Sequence, residues 1–366
     1  MEDAAALATV LPAGIPPDLV PGHLALYEKI RRSRTRRLRE AQRDDDSYHN
    51  ADTYKSFVFD ELDNSAAAFR EWIWSQRPAV YRRMPVAFGP CPGPRQDGFG
   101  RPHGGHGERT FTKASIMFKT SRPYLQSLLP PTPSGSFRFR PRSTTFTFAS
   151  IFITTVGNMS WLGGGGYTHA GLYLHDVEYV KQDGTIVYGT YLPVMFENLA
   201  DPILSGREEL GMNKVYCEID VEENQDSYSA RFSWRGTEFF HAQVDEMSPE
   251  QPLITEEVPA DAVAEDYGLL TYKYVPATGE PGKADVEYAC VIPHAEEAKV
   301  ARQTVQSMLW AHQLPRVRFE ARDWKSLPTL HHVSSALAAM PIYAFVFAKV
   351  EKGLGVADMA SCRRIE

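Results

Sequence analysis

The sequence lacks the features that mark membrane and secreted proteins. Its 366 residues contain no run of about 18 apolar residues, so no segment is typical of a membrane-spanning helix. The first residues, MEDAAALATVLPAG, are acidic where a secretory signal is basic, and Pro12 interrupts their apolar run. We therefore predict a soluble, cytoplasmic protein without a membrane partner.

Cysteine is scarce, and basic charge is not in excess. The four cysteines, Cys91, Cys217, Cys290 and Cys362, lie far apart and form no C-x-x-C pair, which favours reduced thiols over a zinc site. Asp and Glu number 46 against 39 Lys and Arg, which gives a formal net charge of −7. An acidic chain has no general attraction to nucleic acid, so we interpret the arginine-rich segment 31–40 as a solvated helix face.

The glycine- and histidine-rich motifs lack the partners that phosphate or metal sites need. The GGGG at 163–166 has no following GK[ST], and we predict a turn between strands there. The HGGHG at 103–107 is flanked and interrupted by glycine, which favours a flexible loop. His331 and His332 adjoin on a predicted helix, where their side chains diverge by about 100°. We predict neither a metal site nor a cofactor.

Alternating apolar and polar residues dominate the chain from about Phe111 onward. Segments such as TTFTFASIFITTV and IVYGTYLPVMF are typical of strands, and no βαβ rhythm or internal repeat is present. This pattern predicts an α+β protein made mostly of antiparallel strands. A Pro/Gly-rich passage at 89–109 suggests an N-terminal extension, 1–108, with some helix near 66–76, before a main domain at 109–366. Few helices are predicted in the main domain, around Tyr124–Leu129, Ser205–Met212 and Ser326–Ala339.

One lysine, Lys214, stands between a short predicted helix and a predicted strand. Ser205 and Glu208 fit a capping box that would begin the helix, which then stops around Gly211. Alternation from Val215 onward places Lys214 on the polar face of the strand. The pattern alone favours a solvent-exposed lysine. The alternative is a lysine whose amine takes part in catalysis.

Three segments of the chain resemble the acetoacetate decarboxylase superfamily. The central one is YGTYLPVMFENLADPILSGREELGMNK, with the lysine six residues after the glutamate of G-R-E. The flanking segments 118–132 and 319–342 resemble the early strand-to-helix block and the C-terminal block of that family, so the resemblance covers roughly 110–350. The residues that fit the central motif are Tyr191, Met195, Phe196, Asn198, Pro202, Ile203, Gly206, Arg207, Glu208 and Lys214.

The resemblance implies a fold and a chemistry. The fold would be a cone-like, acetoacetate-decarboxylase-type β-barrel with a few peripheral helices, assembled as a homo-oligomer. Lys214 would form a Schiff base with a small-molecule keto substrate, without a cofactor. A lysine with an ordinary pKa near 10.4 is almost entirely protonated at pH 7, so its ammonium would have to be destabilised, for example by burial. Activation of the lysine of acetoacetate decarboxylase by such effects is a known example.

The chain departs from the family pattern at two positions. Val215 replaces a second lysine, and His169, in Tyr167–Gly171, replaces a glutamate. An imidazole can move protons and ordinarily titrates near pH 6–6.5, but it does not reproduce the charge of the glutamate. Arg109 lies within two residues of the position of a family arginine near the substrate carboxylate. The predicted catalytic residues are therefore Lys214, His169 and Arg109.

The aromatic residues near the predicted cavity suit a substrate larger than acetoacetate. They are Phe146, Phe148, Tyr167, Tyr173 and Phe196, although ordinary core packing would explain them equally. The residues predicted to bind substrate are Tyr167, Phe148, Phe196, Met195 and Arg207.

The resemblance implies a cofactor-free carbon–carbon lyase. Its reaction would be decarboxylation of a β-keto acid or of a polyketide-derived intermediate in secondary metabolism. An aldolase-dehydratase or cyclase using the same site is one alternative. A barrel that binds a small molecule without catalysis is the other.

Overall fold

The structure is a computed structural model in which most of the chain beyond the first hundred residues is described. The described residues are 4, 7, 8, 10, 11, 13–41, 83–85, 92–101, 103, 108–142, 144–252, 268–293, 303–356, 359 and 361–365. The chain divides into two compact units, Met1–His103 and Gly104–Glu366. The predicted boundary, after residue 108, lies five residues beyond this division.

In the first unit, helix α1 (Val20–Ala41) contains the arginine-rich segment, as the sequence predicted. Arg32 forms an ion pair with Glu28 one turn earlier, at 2.6 Å. The helix predicted near 66–76 lies outside the described residues. No helix in the described part of the chain is long and apolar enough to cross a membrane.

The second unit consists mainly of strands, because its residues alternate between a buried and a more polar face. In chain order the strands are β1 (Thr110–Ser121), β2 (Gly135–Phe139), β3 (Phe146–Gly157), β4 (Tyr167–Lys181), β5 (Ile186–Glu197), β6 (Lys214–Tyr216), β7 (Glu218–Glu223), β8 (Tyr228–Trp234), β9 (Thr237–Val244), β10 (Met247–Ser248), β11 (Gly268–Pro276), β12 (Ala284–Pro293), β13 (Thr304–Ala311), β14 (Arg316–Phe319), β15 (Ile342–Leu354) and β16 (Arg363–Arg364). The helices are α2 (Arg122–Gln126), α3 (Ala200–Leu210) and α4 (His331–Ala339).

The strands form a sheet of twelve and a sheet of four. The larger follows the order β10-β13-β15-β1-β3-β4-β5-β11-β12-β16, with β2 on β4 and β6 on β5, and the smaller follows β14-β9-β8-β7. Most pairs are antiparallel, as predicted, whereas β11 and β6 both run parallel to β5. The sheet does not close into the predicted barrel. Among the described residues the large sheet stays open, because its end strands β10 and β16 have two residues each and pair on one side only.

Helix α3 begins earlier than the capping-box motif predicted. It starts at Ala200, with Pro202 in its first turn, where the missing N–H of proline costs no hydrogen bond. Ser205 therefore lies inside the helix, and its hydroxyl donates to the carbonyl of Pro202 at 3.4 Å. The predicted end is confirmed, because Gly211 takes a left-handed conformation (φ 65°) that closes the helix.

The two faces of the central strands differ in chemistry. One face carries the apolar core, where Phe196 packs against Phe232 and Phe239 of the four-stranded sheet, with ring centres 6.2 and 5.3 Å away. The other face of the same strands carries lysine, serine, threonine, histidine and glutamate side chains. Polar groups enclosed on one face of a sheet are unusual, so this face is the candidate location of a functional site.

Candidate functional site

A row of polar residues crosses four adjacent strands on this second face. Lys113 of β1 lies opposite Thr154 of β3, Thr154 lies opposite His169 of β4, and His169 lies opposite Glu197 of β5. Directly opposed residues of paired strands project to the same side of the sheet. The register therefore brings these four side chains to one face.

Lys214 joins this row from the parallel strand β6. It lies opposite Met195, two residues before Glu197, and its Nζ is 2.7 Å from Glu197 Oε1. The same Nζ donates a hydrogen bond to the carbonyl of Pro202 at 3.0 Å. Only 6% of Lys214 and 0% of Glu197 are exposed. The solvated lysine that the strand pattern favoured is therefore excluded, and Lys214 is a buried amine paired with a buried carboxylate.

Residues at the end of α3 and in the segment that follows it hold Lys214 in position. Arg207 Nη1 donates to the carbonyl of Lys214 at 3.0 Å, and the Asn213 side chain donates to the carbonyl of Leu192 at 3.0 Å. Gly206 leaves the space that the lysine occupies, because a Cβ at this position would stand 2.8 Å from Lys214 Nζ. The glycine and arginine of the G-R-E motif thus contact the lysine side chain and main chain respectively.

Burial works against the charged state of Glu197. Burial raises the pKa of this carboxyl, and the neighbouring Lys214 opposes the rise. The pKa of Tyr173 is also raised, by burial first and then by the charge of Glu197. A carboxyl with a raised pKa beside an amine allows a proton to move between the two groups.

His169 is neutral in this environment. Burial, the charge of Lys214 and the charge of Lys113 together lower its pKa to about 3. Its Nδ1 is buried and makes no hydrogen bond to any described residue. The ordinary value near 6–6.5 therefore does not apply to this ring, because burial and two lysine charges oppose its protonation.

Lys113 is a second enclosed amine on the same face. Burial lowers its pKa, Glu351 opposes this effect, and Lys349 adds to it. Its Nζ lies 4.2 Å from the centre of the Phe152 ring, which offers a favourable contact to a cation. Ser115, two residues further along β1, has a buried hydroxyl without a hydrogen-bond partner among the described residues.

Sequence reasoning did not find Glu197 or Lys113. Glu197 stands beside Asn198 in the motif, so its position was visible although its contact with Lys214 was not. Lys113 lies in an ordinary alternating strand, and only the strand register shows that it shares a row with His169.

Three of the other predicted site residues share the polar face, and Arg109 precedes the first strand. Tyr167 and Met195 lie on the polar face, and the Tyr167 ring centre is 5.9 Å from that of His169. Phe148 lies on the same face of β3, opposite Lys119. Arg109 is buried just before β1, where its carbonyl accepts a hydrogen bond from Gly355 N at 2.7 Å.

Phe196 and Arg207, which were predicted to bind substrate, contact other parts of the protein. Phe196 belongs to the apolar core on the opposite face of β5, as its contact with Phe239 shows. Arg207 instead donates a hydrogen bond to the main-chain carbonyl of Lys214 and so helps to position the lysine. Among the described residues, no group of three or more His, Cys, Asp or Glu is placed to hold a metal ion.

A family comparison agrees with the lysine motif. A model of the acetoacetate decarboxylase (ADC) family matches residues 84–324, about two thirds of the chain. The chain belongs to the acetoacetate decarboxylase family. No curated protein matches it.

Several solved structures are similar to this member of the acetoacetate decarboxylase family. An acetoacetate decarboxylase-like enzyme from Sphingomonas wittichii RW1 is 12% identical, with 72% of this chain and 94% of that chain covered and a TM-score of 0.45. Acetoacetate decarboxylase from Legionella pneumophila is 17% identical, with 70% and 91% covered and a TM-score of 0.42. The enduracididine biosynthesis enzyme MppR, complexed with the condensation product of pyruvate and imidazole 4-carboxaldehyde, is 12% identical, with 70% and 88% covered and a TM-score of 0.42.

His169 and His175 give an expectation for stability against acid. His169, with a pKa of about 3, and His175, with a pKa of about 4, both bind protons less readily when folded than in the unfolded chain, where the value is about 6.5. The stability they contribute is complete above about pH 6.5 and is lost as the pH falls toward 4 and then 3. Each contributes a slope of up to about 1.4 kcal/mol per pH unit in this window.

We therefore expect His175→Gln to reduce the loss of unfolding free energy between pH 6.5 and 4.5, measured by urea denaturation. His175 is buried and hydrogen-bonded to Ser150 and Thr190, so its replacement changes stability at every pH. The measured quantity is therefore the pH dependence of each variant's own unfolding free energy. His332→Gln, at an exposed position, is the control for the substitution itself and should change the unfolding free energy at neutral pH by less than about 0.5 kcal/mol. Equal slopes for wild type and His175→Gln would contradict the assignment of a buried neutral ring.

Proposed function

We propose that this protein is an enzyme that attacks the ketone of a keto acid with the Lys214 amine and cleaves a carbon–carbon bond. The observation that supports the proposal best is the pair of Lys214 and Glu197, buried and 2.7 Å apart on an otherwise polar, enclosed face. Buried charges are costly, and they are often retained where chemistry uses them.

The first step activates the amine. The Lys214 ammonium passes a proton to Glu197, which leaves a neutral amine and a neutral carboxylic acid. The short distance permits the transfer, and burial favours the uncharged form of the carboxyl. The amine lone pair then attacks the ketone carbon. Glu197 returns its proton to the departing hydroxyl, so that water leaves and an iminium forms on Lys214.

Decarboxylation follows directly from this iminium. The bond between the α-carbon and the carboxylate breaks, CO2 leaves, and its electron pair neutralises the iminium to an enamine. Protonation of the enamine carbon and hydrolysis of the imine then release the ketone product and restore Lys214. This route requires no base to remove a proton from carbon, which agrees with the low basicity of His169 at a pKa of about 3.

Neutral His169 serves as a hydrogen-bonding group in this scheme. Its Nδ1, which has no hydrogen-bond partner among the described residues, is available to the substrate, and His169 lies opposite Glu197 in the strand register. An imidazolium there would repel the iminium, and the enclosed environment would strengthen that repulsion. The depressed pKa of His169 keeps the ring uncharged while the iminium exists.

We assign Lys113 the role of binding the carboxylate of the substrate. It stands at the far end of the polar row, and the nearby Ser115 hydroxyl lacks a protein partner among the described residues. The aromatic pair of Phe152 and Tyr173, with ring centres 4.5 Å apart, lies on the same face and suits a substrate with a flat or apolar part. A keto acid larger than acetoacetate fits these groups.

We expect Lys113→Met to raise KM for a keto acid at least about tenfold while kcat changes much less, since a charge-assisted hydrogen bond contributes about 1.5–3 kcal/mol. Steady-state kinetics measures both constants. Lys119→Met is the matched control, because Lys119 lies on the same strand and contacts the Phe146 ring, 5.1 Å away. Equal KM values in the wild type and Lys113→Met would exclude Lys113 from substrate binding.

Aldol condensation with dehydration is the second candidate, because the raised pKa of Glu197 makes this carboxylate a stronger base for a carbon-bound proton. A panel of β-keto acids, and pyruvate with aromatic aldehydes, distinguishes the two reactions. Release of CO2 and ketone from β-keto acids supports decarboxylation. A conjugated condensation product without CO2 supports the second reaction. Tight binding of the panel without turnover in either assay would indicate a binding protein.

A further inference from the structure

Two cysteines that are far apart in sequence meet behind the turn that leads to Lys214. Cys290 lies on β12, which pairs with β16 so that Cys290 faces Arg364. Cys362 precedes Arg364 by two residues, and its thiol lies close enough to Cys290 to lower the pKa of that thiol. The two cysteines are 72 positions apart, which explains why no spacing motif indicated this pair.

Both sulfur atoms contact the end of helix α3. Cys362 Sγ donates to the carbonyl of Leu210 at 3.5 Å, and Thr271 Oγ1 donates to the same oxygen at 3.3 Å. Cys290 Sγ lies 3.3 Å from the position that a Cβ would take at Gly211. The hydrogen bond of Cys362 to Leu210 and the position of Cys290 Sγ beside Gly211 therefore locate the two thiols at one turn.

The surroundings make Cys290 more reactive than the other described buried thiol. The neighbouring Cys362 thiol lowers the pKa of Cys290, burial opposes this effect, and Lys273, Thr271 and Arg364 add to it. Burial and nearby carboxylates instead raise the pKa of Cys217 well above its usual value. Because the thiolate is the form that reacts with oxidants, Cys290 and Cys217 should differ strongly in reactivity.

We propose that Cys290 and Cys362 form an oxidation site that closes to an intramolecular disulfide in the presence of a peroxide. The Cys290 thiolate attacks one oxygen of hydrogen peroxide, the O–O bond breaks and hydroxide leaves, which gives a sulfenic acid at Cys290. Cys362 then attacks the sulfenic sulfur, and its proton leaves with the displaced hydroxide as water. In total, two thiols and one hydrogen peroxide give one disulfide and two waters.

The disulfide would fasten the C-terminal segment around β16 to β12. It would also remove the thiol proton that Cys362 donates to Leu210, at the turn before Lys214. A cross-link between distant positions restricts the unfolded chain, so oxidation should raise the melting temperature. This proposal does not depend on any activity of Lys214.

The test treats the full chain with hydrogen peroxide and then follows intact mass, peptide map and thermal unfolding. We expect a loss of about 2 Da from the pair of thiols, a peptide that joins residues 290 and 362, and a higher Tm, all reversed by dithiothreitol. Cys217→Ser should behave like the wild type. Cys362→Ser should form no cross-link and should instead accumulate a sulfenic acid at Cys290, which dimedone captures.

A folded wild-type chain that forms no bond between Cys290 and Cys362 would overturn the proposal, as would a bond to Cys91 or Cys217 in its place. The peptide map of the wild type decides this without any variant, so a folding defect in Cys362→Ser leaves the test intact. Failure here leaves the proposed lysine chemistry untouched, because the two experiments share no readout.

Discussion

Lys214→Arg is expected to abolish turnover of the keto acid substrate, with a loss of at least about a thousandfold in kcat, because the nucleophile of a covalent mechanism is removed. A guanidinium remains protonated at every accessible pH and cannot form an imine. The charge that faces Glu197 is retained, so the substitution removes the nucleophile and keeps the ion pair. Steady-state assay of purified protein measures the effect.

Lys214→Ala should be equally inactive but less stable. It leaves Glu197 buried without its cation, and breaking a buried pair in this way costs up to about 3–5 kcal/mol, less here because Glu197 can accept a proton. The double variant Lys214→Met with Glu197→Gln should recover much of that stability without recovering activity. Wild-type turnover in folded Lys214→Arg would end the Schiff-base mechanism.

Gly206→Ala should lower kcat by at least about a hundredfold, which is the cost of displacing a reacting group by about 1 Å. The new methyl group would stand 2.8 Å from Lys214 Nζ and 2.5 Å from its Cδ, so the lysine side chain must leave its contacts with Glu197 and the Pro202 carbonyl. Alanine normally stabilises a helix interior relative to glycine by about 0.5–1 kcal/mol, so loss of helix α3 is not the expected cause.

The control for Gly206→Ala lies in the same helix. Leu204 is 51% exposed, and Leu204→Ala should leave kcat within about twofold because surface substitutions change stability little. Far-UV circular dichroism of both variants checks that the helix persists. If Gly206→Ala keeps full activity, the lysine does not need the position that it occupies beside Glu197.

Alternation in the sequence was sufficient to predict the strands, because burial on one side of a sheet imposes a period of two. The motif ending at Lys214 indicated the lysine that the structure places beside Glu197. The start of α3 was misplaced because Ser205 and Glu208 match a capping box, whereas the chain had already entered the helix at Ala200. The capping-box motif at Ser205 and Glu208 therefore gave no indication of the preceding helical turn, which contains Pro202.

The partners of Lys214 depend on pairing between strands that are distant in sequence. Replacement of the family glutamate by His169 suggested that a carboxylate was missing from the site. The register instead places Glu197 directly opposite His169, so a carboxylate reaches the lysine from the neighbouring strand. The pKa of His169 likewise depends on Lys113 and Lys214, which come from two other strands. Alternation along single strands also could not show whether the sheet closes into a barrel, because closure depends on pairing between its two edge strands.

Reductive trapping tests the role of Lys214 most directly. The full chain is incubated with acetoacetate or with pyruvate, reduced with borohydride, digested, and mapped by mass spectrometry. We expect the reduced adduct on the peptide that contains Lys214, and no adduct in Lys214→Arg. Lys113 is the rival amine, because it is also enclosed and burial lowers its pKa. An adduct on Lys113 with Lys214 unmodified, or no adduct on either lysine with an active preparation, would contradict the assignment of Lys214 as the nucleophile.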